Sequence, residues 1–203
     1  MIEIKRIRTF GWEGAIRGMR NPMNSWEKSD SNFEGQILIG EEDLKLACNL
    51  IKAGSSDRKF LRMIHVQLDI TAPLYWWKEC DTYKIATVSN SCSTMHKIHS
   101  RDLTLDDFST DKLTEENKKL IENIISAINF NRISFTKDKD MWYQMIQLLP
   151  SSYNQTRTLD LNYETLLNIY FQRRHHKLDE WKVLCNEIEK LPYMKNFIKS
   201  AEK

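Results

Sequence analysis

The sequence predicts one α/β domain, on three observations: a length that suits one core, strand-like alternation in its first third, and helical apolar spacing further on. At 203 residues, with 41% of positions apolar, the chain is long enough for one substantial core and short for two. In FLRMIHVQLDI, Ile64, Val66, Leu68 and Ile70 fall on one strand phase, and Met63, His65, Gln67 and Asp69 on the other. In KKLIENIISAI, Leu120, Ile121, Ile124, Ile125 and Ile128 recur at the spacing of a buried helix face. Charge and cysteine usage narrow the class. The 30 Lys and Arg against 28 Asp and Glu leave a net charge of +2, which gives no general field for a nucleic-acid partner. Cys48, Cys80, Cys92 and Cys185 are widely separated with no CxxC pair, so neither a metal site nor a disulfide framework is expected. The start lacks the apolar run of a secretory signal, and no stretch has the length of a membrane span. The expectation is a soluble, cytoplasmic protein with no membrane partner.

The elements follow in order. MIEIKRIRTF alternates imperfectly and suits an early strand, after which Gly11, Gly14 and Gly18 loosen the chain and residues 20–33 read as irregular. EEDLKLACNLIKAG starts a helix on three acids, at its positive end, and stops it at Gly54. The strand through residues 60–70 comes next, with His65 on its polar face. Pro73 opens a helix over PLYWWKECDTYK, because its missing amide proton costs little in a first turn. Residues 85–100 are polar and aperiodic and read as a connection, and the aspartates of DLTLDDF read as a solvated linker. Thr114 with Glu115 and Glu116 starts the helix that carries the isoleucines. A further helix covers KDMWYQMIQLL until Pro150 breaks it before the turn SSYNQTRT. A long final helix runs from near Leu161, and residues 191–203 read as a short basic tail.

The stretch YFQRRHHKLDEW, residues 170–181, raises the chemical question. At about 100° per residue an unbroken helix over 165–189 puts Leu166, Leu167, Tyr170, Phe171, Trp181 and Cys185 in one arc. Arg174 falls inside that arc and Arg173 on its near edge. A guanidinium there must be paired, solvated through a cleft or extended past the core. One reading is an ordinary ion pair with Asp179, Glu180 or a distant acid. The other is an anion site, since the planar fork matches a phosphate or the paired oxygens of a deprotonated heterocycle. His175 and His176 with Asp179 have helical spacing, but a single such pair reads as surface solvation.

LLPSSYNQTRTLDLNYETLLNIYFQRRHHKLDEW at 148–181 resembles the late segment of the flavin-dependent thymidylate synthase family, with its leucine-proline turn and its asparagine, arginine and tryptophan on the last major helix. PLYWWKECDTYKIATVSNSCSTMHK at 73–97 is similar to the family's long helix and signature. There Thr82, Tyr83 and Lys84 stand for an arginine, histidine and arginine, and Thr87 keeps the first hydroxyl. Ser89 and Asn90 replace an asparagine-glutamate pair, Cys92 a serine and Thr94 an arginine. Lys84 attracts phosphate without arginine's fixed fork, and Tyr83 has no titration near neutrality.

The resemblance implies a single α/β domain with a mixed sheet and long helices, assembled as a homotetramer. It implies conversion of deoxyuridylate to thymidylate with FAD, methylene-tetrahydrofolate as one-carbon donor and NADPH as reductant. It assigns Arg173, or Arg174 under a shifted alignment, to the pyrimidine, and Asn168, Lys78, Lys84 and Thr87 to the flavin. Ser91, Ser93, Tyr153, Gln155 and Arg157 are then candidates for substrate contacts. No cysteine is assigned as a nucleophile. Loss of so much of the signature leaves a second reading open, a nonenzymatic nucleotide-binding or assembly protein on the same scaffold.

Overall fold

A computed structural model describes residues 2–135 and 140–202. Strand β1 (Glu3–Phe10) leads into helix α1 (Trp12–Arg20), with Gly11 at the corner. Gly11 has a φ of 83°, and a Cβ there would run into the Met63 carbonyl oxygen, so the turn requires glycine on both counts. Gly14 and Gly18, also expected to loosen the chain, instead sit in a regular helix, because Trp12, Ala15, Ile16 and Met19 bury one face of it and packing outweighs propensity. Two short 3₁₀ turns follow within the irregular stretch 20–33, as the sequence predicts.

Helix α2 (Glu41–Ala53) stops at Gly54 as expected. Its start is built from a distance. Gly40 offers no capping side chain, and the Asp30 carboxylate accepts from the amides of Glu42 at 3.0 Å and Asp43 at 3.1 Å. Strand β2 (His65–Pro73) buries Val66, Leu68 and Ile70 and exposes His65. Helix α3 (Leu74–Cys80) then begins at Pro73 but ends four residues before Lys84. Its first amides, on Leu74 and Tyr75, donate to the carbonyls of Tyr153 and Ser151 at 2.9 and 3.0 Å, so the turn after Pro150 caps the helix.

The expected connection at 85–100 instead holds strand β3 (Thr87–Ser91) and the one-turn helix α4 (Thr94–Lys97), capped by the Ser93 hydroxyl. The expected linker is ordered too. Thr104 and Asp107 form a capping box, and Leu103 and Phe108 are buried. Helix α5 (Glu115–Ser134) starts at Thr114, whose hydroxyl accepts from the Asn117 amide. Ile125 and Ile128 are buried and Ile121 and Ile124 pack beside them, but Leu120, expected on that face, is exposed. Helix α6 (Asp140–Leu148) follows, and the Lys139 with which it was expected to open lies outside the described residues.

The stretch expected as a turn is strand β4 (Asn154–Asn162), and the sheet has the order β1-β2-β4-β3. The long final helix is two helices, α7 (Tyr163–Arg173) and α8 (Asp179–Lys190). Between them the Leu178 amide donates to His176 Nδ1 at 3.2 Å, a local side-chain bond that competes with the helical ladder. The expected tail carries helix α9 (Met194–Ala201), with Phe197 and Ile198 buried.

The chain divides into two compact units. One comprises residues 1–4, 69–82 and 90–158, with a core of Ile98, Leu103, Phe108, Ile125, Ile128 and Met145 against which Trp142 and Tyr153 pack. The other comprises residues 5–68, 83–89 and 159–203. In it α2 packs on α9 and α7 on α8, around edge-on ring pairs such as Trp12 with Tyr163 at 5.0 Å and Phe60 with Phe197 at 6.0 Å.

Candidate functional site

Arg173 ends α7 in the second unit and is held by aromatic residues. Its Nε donates to the Tyr83 hydroxyl at 2.8 Å, and that hydroxyl donates to Gln172 Oε1 at 3.0 Å. The guanidinium carbon lies 4.7 Å from the Trp181 ring centroid and 5.5 Å from that of Tyr83, and the two rings meet edge-on at 5.9 Å. Stacking on an indole fixes the plane of a guanidinium, the condition under which its fork recognises paired oxygens. The neighbouring Arg174 has a different fate. Its Nη1 donates to Glu202 Oε1 at 2.7 Å and its side chain lies against Tyr170 and Phe171. Arg174 thus makes an ion pair with a distant acid, and Arg173 lies against two aromatic rings.

Asn168, one turn earlier on α7, is exposed and stands in a basic group. Arg58 donates from Nε to Glu164 Oε1 at 3.1 Å and from Nη2 to Asn168 Oδ1 at 3.3 Å, while Arg62 donates to the other Glu164 oxygen. Two guanidiniums share one largely buried carboxylate, so the group carries a net positive charge. Thr165 donates to the Ile85 carbonyl at 3.2 Å, tying the segment before β3 to the start of α7. Within that segment Lys84 is exposed, and Thr87 donates to the same carbonyl at 3.4 Å.

The first unit contains a polar cavity of about 310 Å³. Ser93, Tyr153 and Gln155 line it, as does Cys92, and α4 adds Lys97. Arg101 borders it in an ion pair with Asp107. Burial pushes the Tyr153 phenol up, and the Asp107 carboxylate adds to the effect, so the hydroxyl stays protonated as a donor. Burial alone would also raise Asp107, but the hydrogen bond from Arg101 and those from Thr104 outweigh it and hold the carboxyl below its usual range. Asp106 and Asp107 line it as well, so Lys97 and Arg101 are balanced by two acids, and the hydroxyls, amide and charged groups suit a small polar ligand.

The structure thus brings Ser93, Tyr153 and Gln155 together. Gln155 donates to the Cys92 carbonyl at 3.0 Å and accepts from Arg157 Nε at 2.9 Å. Arg157 also donates to Asp81 at 2.7 Å and lies 4.3 Å over the Trp77 ring. Both residues are on β4 rather than in a turn, and their polar atoms brace the fold. Lys78, on the last turn of α3, and Ser91 are exposed and do not line that cavity. Sequence reasoning missed Lys97, Arg101, Arg58 and Arg62. The Thr-x-x-Asp spacing of Thr104 and Asp107 was the one signal that residues 101–108 are ordered.

The chain is similar to solved structures over nearly its whole length. The flavin-dependent thymidylate synthase of Helicobacter pylori complexed with FAD and dUMP matches at a TM-score of 0.72 and 17% identity, over 98% of this chain and 100% of that one. Thymidylate Synthase X from the same organism, with FAD and dUMP, matches at 0.73 and 15%, over 100% of both chains. A UMP/dUMP methylase of Streptomyces cacaoi bound with 5-Br dUMP matches at 0.64 and 10%, over 98% of this chain and 94% of that one. No family model matches the sequence, and no curated protein does. What these likenesses establish is a shared α/β fold.

Proposed function

We propose that this chain, which has the fold of the flavin-dependent thymidylate synthases, binds FAD and deoxyuridylate and directs one-carbon transfer to the pyrimidine. The observation that carries the reading is Arg173, cradled by Tyr83 and Trp181 at the position the resemblance assigns to the pyrimidine. Its fork donates to the ring's oxygens, withdraws electron density and stabilises the negative charge that develops there. In this reading Ser91, Ser93, Tyr153, Gln155 and Arg157 are the candidates for substrate contacts that the resemblance gives, of which Ser93, Tyr153 and Gln155 share the cavity of the first unit.

The residues near Asn168 fit an anionic cofactor. Arg58 and Arg62 outnumber the carboxylate between them, and Asn168 adds an amide that both donates and accepts. These side chains would hold FAD, with Lys84 and Thr87 as further contacts in the same unit; Lys78 is a candidate by the resemblance alone. The flavin, when bound, supplies the hydride, methylene-tetrahydrofolate the carbon and NADPH the reducing equivalents; the chain supplies orientation and charge. We take residues 1–203 as one functional domain that assembles with copies of itself, a tetramer by resemblance, in the cytoplasm.

A second reading, nucleotide binding without turnover, is favoured by Tyr83. Where the family has a histidine this chain has Tyr83, whose hydroxyl is committed to Arg173 and Gln172. Purification without added flavin, followed by absorbance spectroscopy and titration with FAD and deoxyuridylate, separates the two. Retained flavin, and thymidylate formed from reduced flavin, deoxyuridylate and methylene-folate, is the expected result. Deoxyuridylate binding with no flavin and no product would replace it with the second reading.

A further inference from the structure

Two contacts hold the Arg173 guanidinium, and they restrain different motions. Stacking at 4.7 Å from the Trp181 ring centroid fixes the plane of the group but not its rotation within that plane. The bond from Nε to the Tyr83 hydroxyl at 2.8 Å fixes that rotation, because Nε carries one N–H in a set direction. This bond requires the hydroxyl to turn a lone pair toward Nε. A phenol has a single proton and swings it about the C–O bond, so an acceptor elsewhere must hold that proton away from the guanidinium. Gln172 Oε1 does so at 3.0 Å.

Gln172 is in place for this because the backbone around Tyr83 is strapped along α7. Thr165 and Gln172 are seven residues apart on that helix, so at about 100° per residue they share one face, within about 20° of each other. Thr165 donates to the Ile85 carbonyl at 3.2 Å, and Gln172, two turns later, accepts from Tyr83. The strap leaves the helix at Ala86, whose φ of 52° lies in the left-handed region, and enters β3. At its other end the Tyr83 ring meets Trp181 edge-on at 5.9 Å. Gln172 itself is exposed, so a substitution there opens no cavity in the core.

We propose that Gln172 is a positioning residue: by taking the Tyr83 proton it orients the hydroxyl and, through it, the Arg173 fork that meets the pyrimidine nucleotide. Tyr83 and Gln172 thus act as a unit where the resemblance gives a histidine at the first of the two positions. The inference rests on the reading of Arg173 given under the proposed function.

A double-variant cycle tests it, with deoxyuridylate affinity measured by calorimetric titration of the full chain and circular dichroism showing that each variant is folded. Gln172→Met keeps the length of the side chain without its acceptor and should weaken binding about threefold to tenfold, and Tyr83→Phe at least as much. The double variant should bind no more weakly than Tyr83→Phe, since Gln172 acts only through the hydroxyl. No loss in Gln172→Met, or losses that multiply, overturns the proposal. A second measurement needs no nucleotide. Solvent exchange of the Arg173 Nε proton, followed by NMR and assigned with Arg173→Lys, should be about threefold or more faster in both single variants than in the native chain. If exchange responds in this way and none of the proteins binds deoxyuridylate, the reading of the site fails while the positioning of Arg173 stands. Exchange unchanged in Gln172→Met overturns the positioning role whatever the nucleotide does.

Discussion

Arg173 and Arg174 are adjacent and chemically identical, yet their surroundings predict opposite responses to substitution. Arg173→Lys keeps the charge but loses the planar fork stacked on Trp181, so deoxyuridylate affinity should fall by about tenfold or more. Arg174→Ala removes an ion pair with Glu202 at the end of α9 and should leave nucleotide affinity within about twofold, because that guanidinium is already engaged by a surface acid. Equal losses in the two variants, measured by titration, would break the assignment. Asp43 illustrates a structural site at the same scale. It is fully buried, and although burial alone would raise its carboxyl, the hydrogen bonds from Ser29, Ser31 and Arg20 bring it below the usual 3.8. A carboxyl lowered by folding stabilises the protein above that value, and the contribution disappears as pH falls through the folded pKa. Asp107 and Asp160 are shifted in the same direction, so chemical denaturation should show stability falling as pH drops below about 4. Asp43→Asn leaves the buried Arg20 without its counter-charge and should cost about 3–5 kcal/mol at neutral pH.

Among the elements, those with a clean period were legible in the sequence and those without one were not. Helices α2 and α5 combine spacing with start or stop signals and stand where the residues put them, whereas strand β2, read over residues 60–70, keeps its phase but runs His65–Pro73 because residues 58–62 form a 3₁₀ helix. Strand β3 is exposed at every position but Thr87, so its residues have no alternation to display. In β4 only Leu159 and Leu161 are buried at strand spacing, because its first half carries polar side chains that bind their neighbours. The break between α7 and α8 was hidden because apolar spacing resumes beyond it. For α9, lysines conceal Met194, Phe197 and Ile198, whose spacing of three and four was the better guide. The same limits apply to the candidate site. Arg173 drew attention as a cation at the edge of an apolar arc, whereas Lys97 lies on a one-turn helix too short to show a period. Gly11 carries the prediction at this scale. Gly11→Ala places a methyl group against the Met63 carbonyl at a positive φ, and thermal unfolding should occur several degrees lower. An unchanged melting temperature would mean the corner between β1 and α1 is not held as described.

For the molecule as a whole, the four cysteines report on how the two units enclose their cores. Cys92 is exposed on the wall of the first unit's cavity, while Cys80 and Cys185 are buried and Cys48 is intermediate. Burial, assisted by Glu189, pushes the Cys185 thiol up to about 11. Brief alkylation of the native protein at neutral pH should therefore modify Cys92 first, with Cys80 and Cys185 reacting only in denaturant. Mass spectrometry of the labelled peptides would read the order directly, and early labelling of Cys185 would contradict the packing of α8. Deoxyuridylate should slow the reaction at Cys92 if the nucleotide occupies the cavity that this thiol borders.

The hold of Asp30 on the first amides of α2 has a consequence for how the chain becomes ordered. This helix does not carry the instruction for its own beginning; that instruction lies in a loop on the far side of Gly40. A synthetic fragment covering residues 40–54 should show little ellipticity at 222 nm in water, and one lengthened back to residue 28 noticeably more. Shortening the intervening loop would draw the Asp30 carboxylate off the amides of Glu42 and Asp43 and so unwind the helix from its first turn.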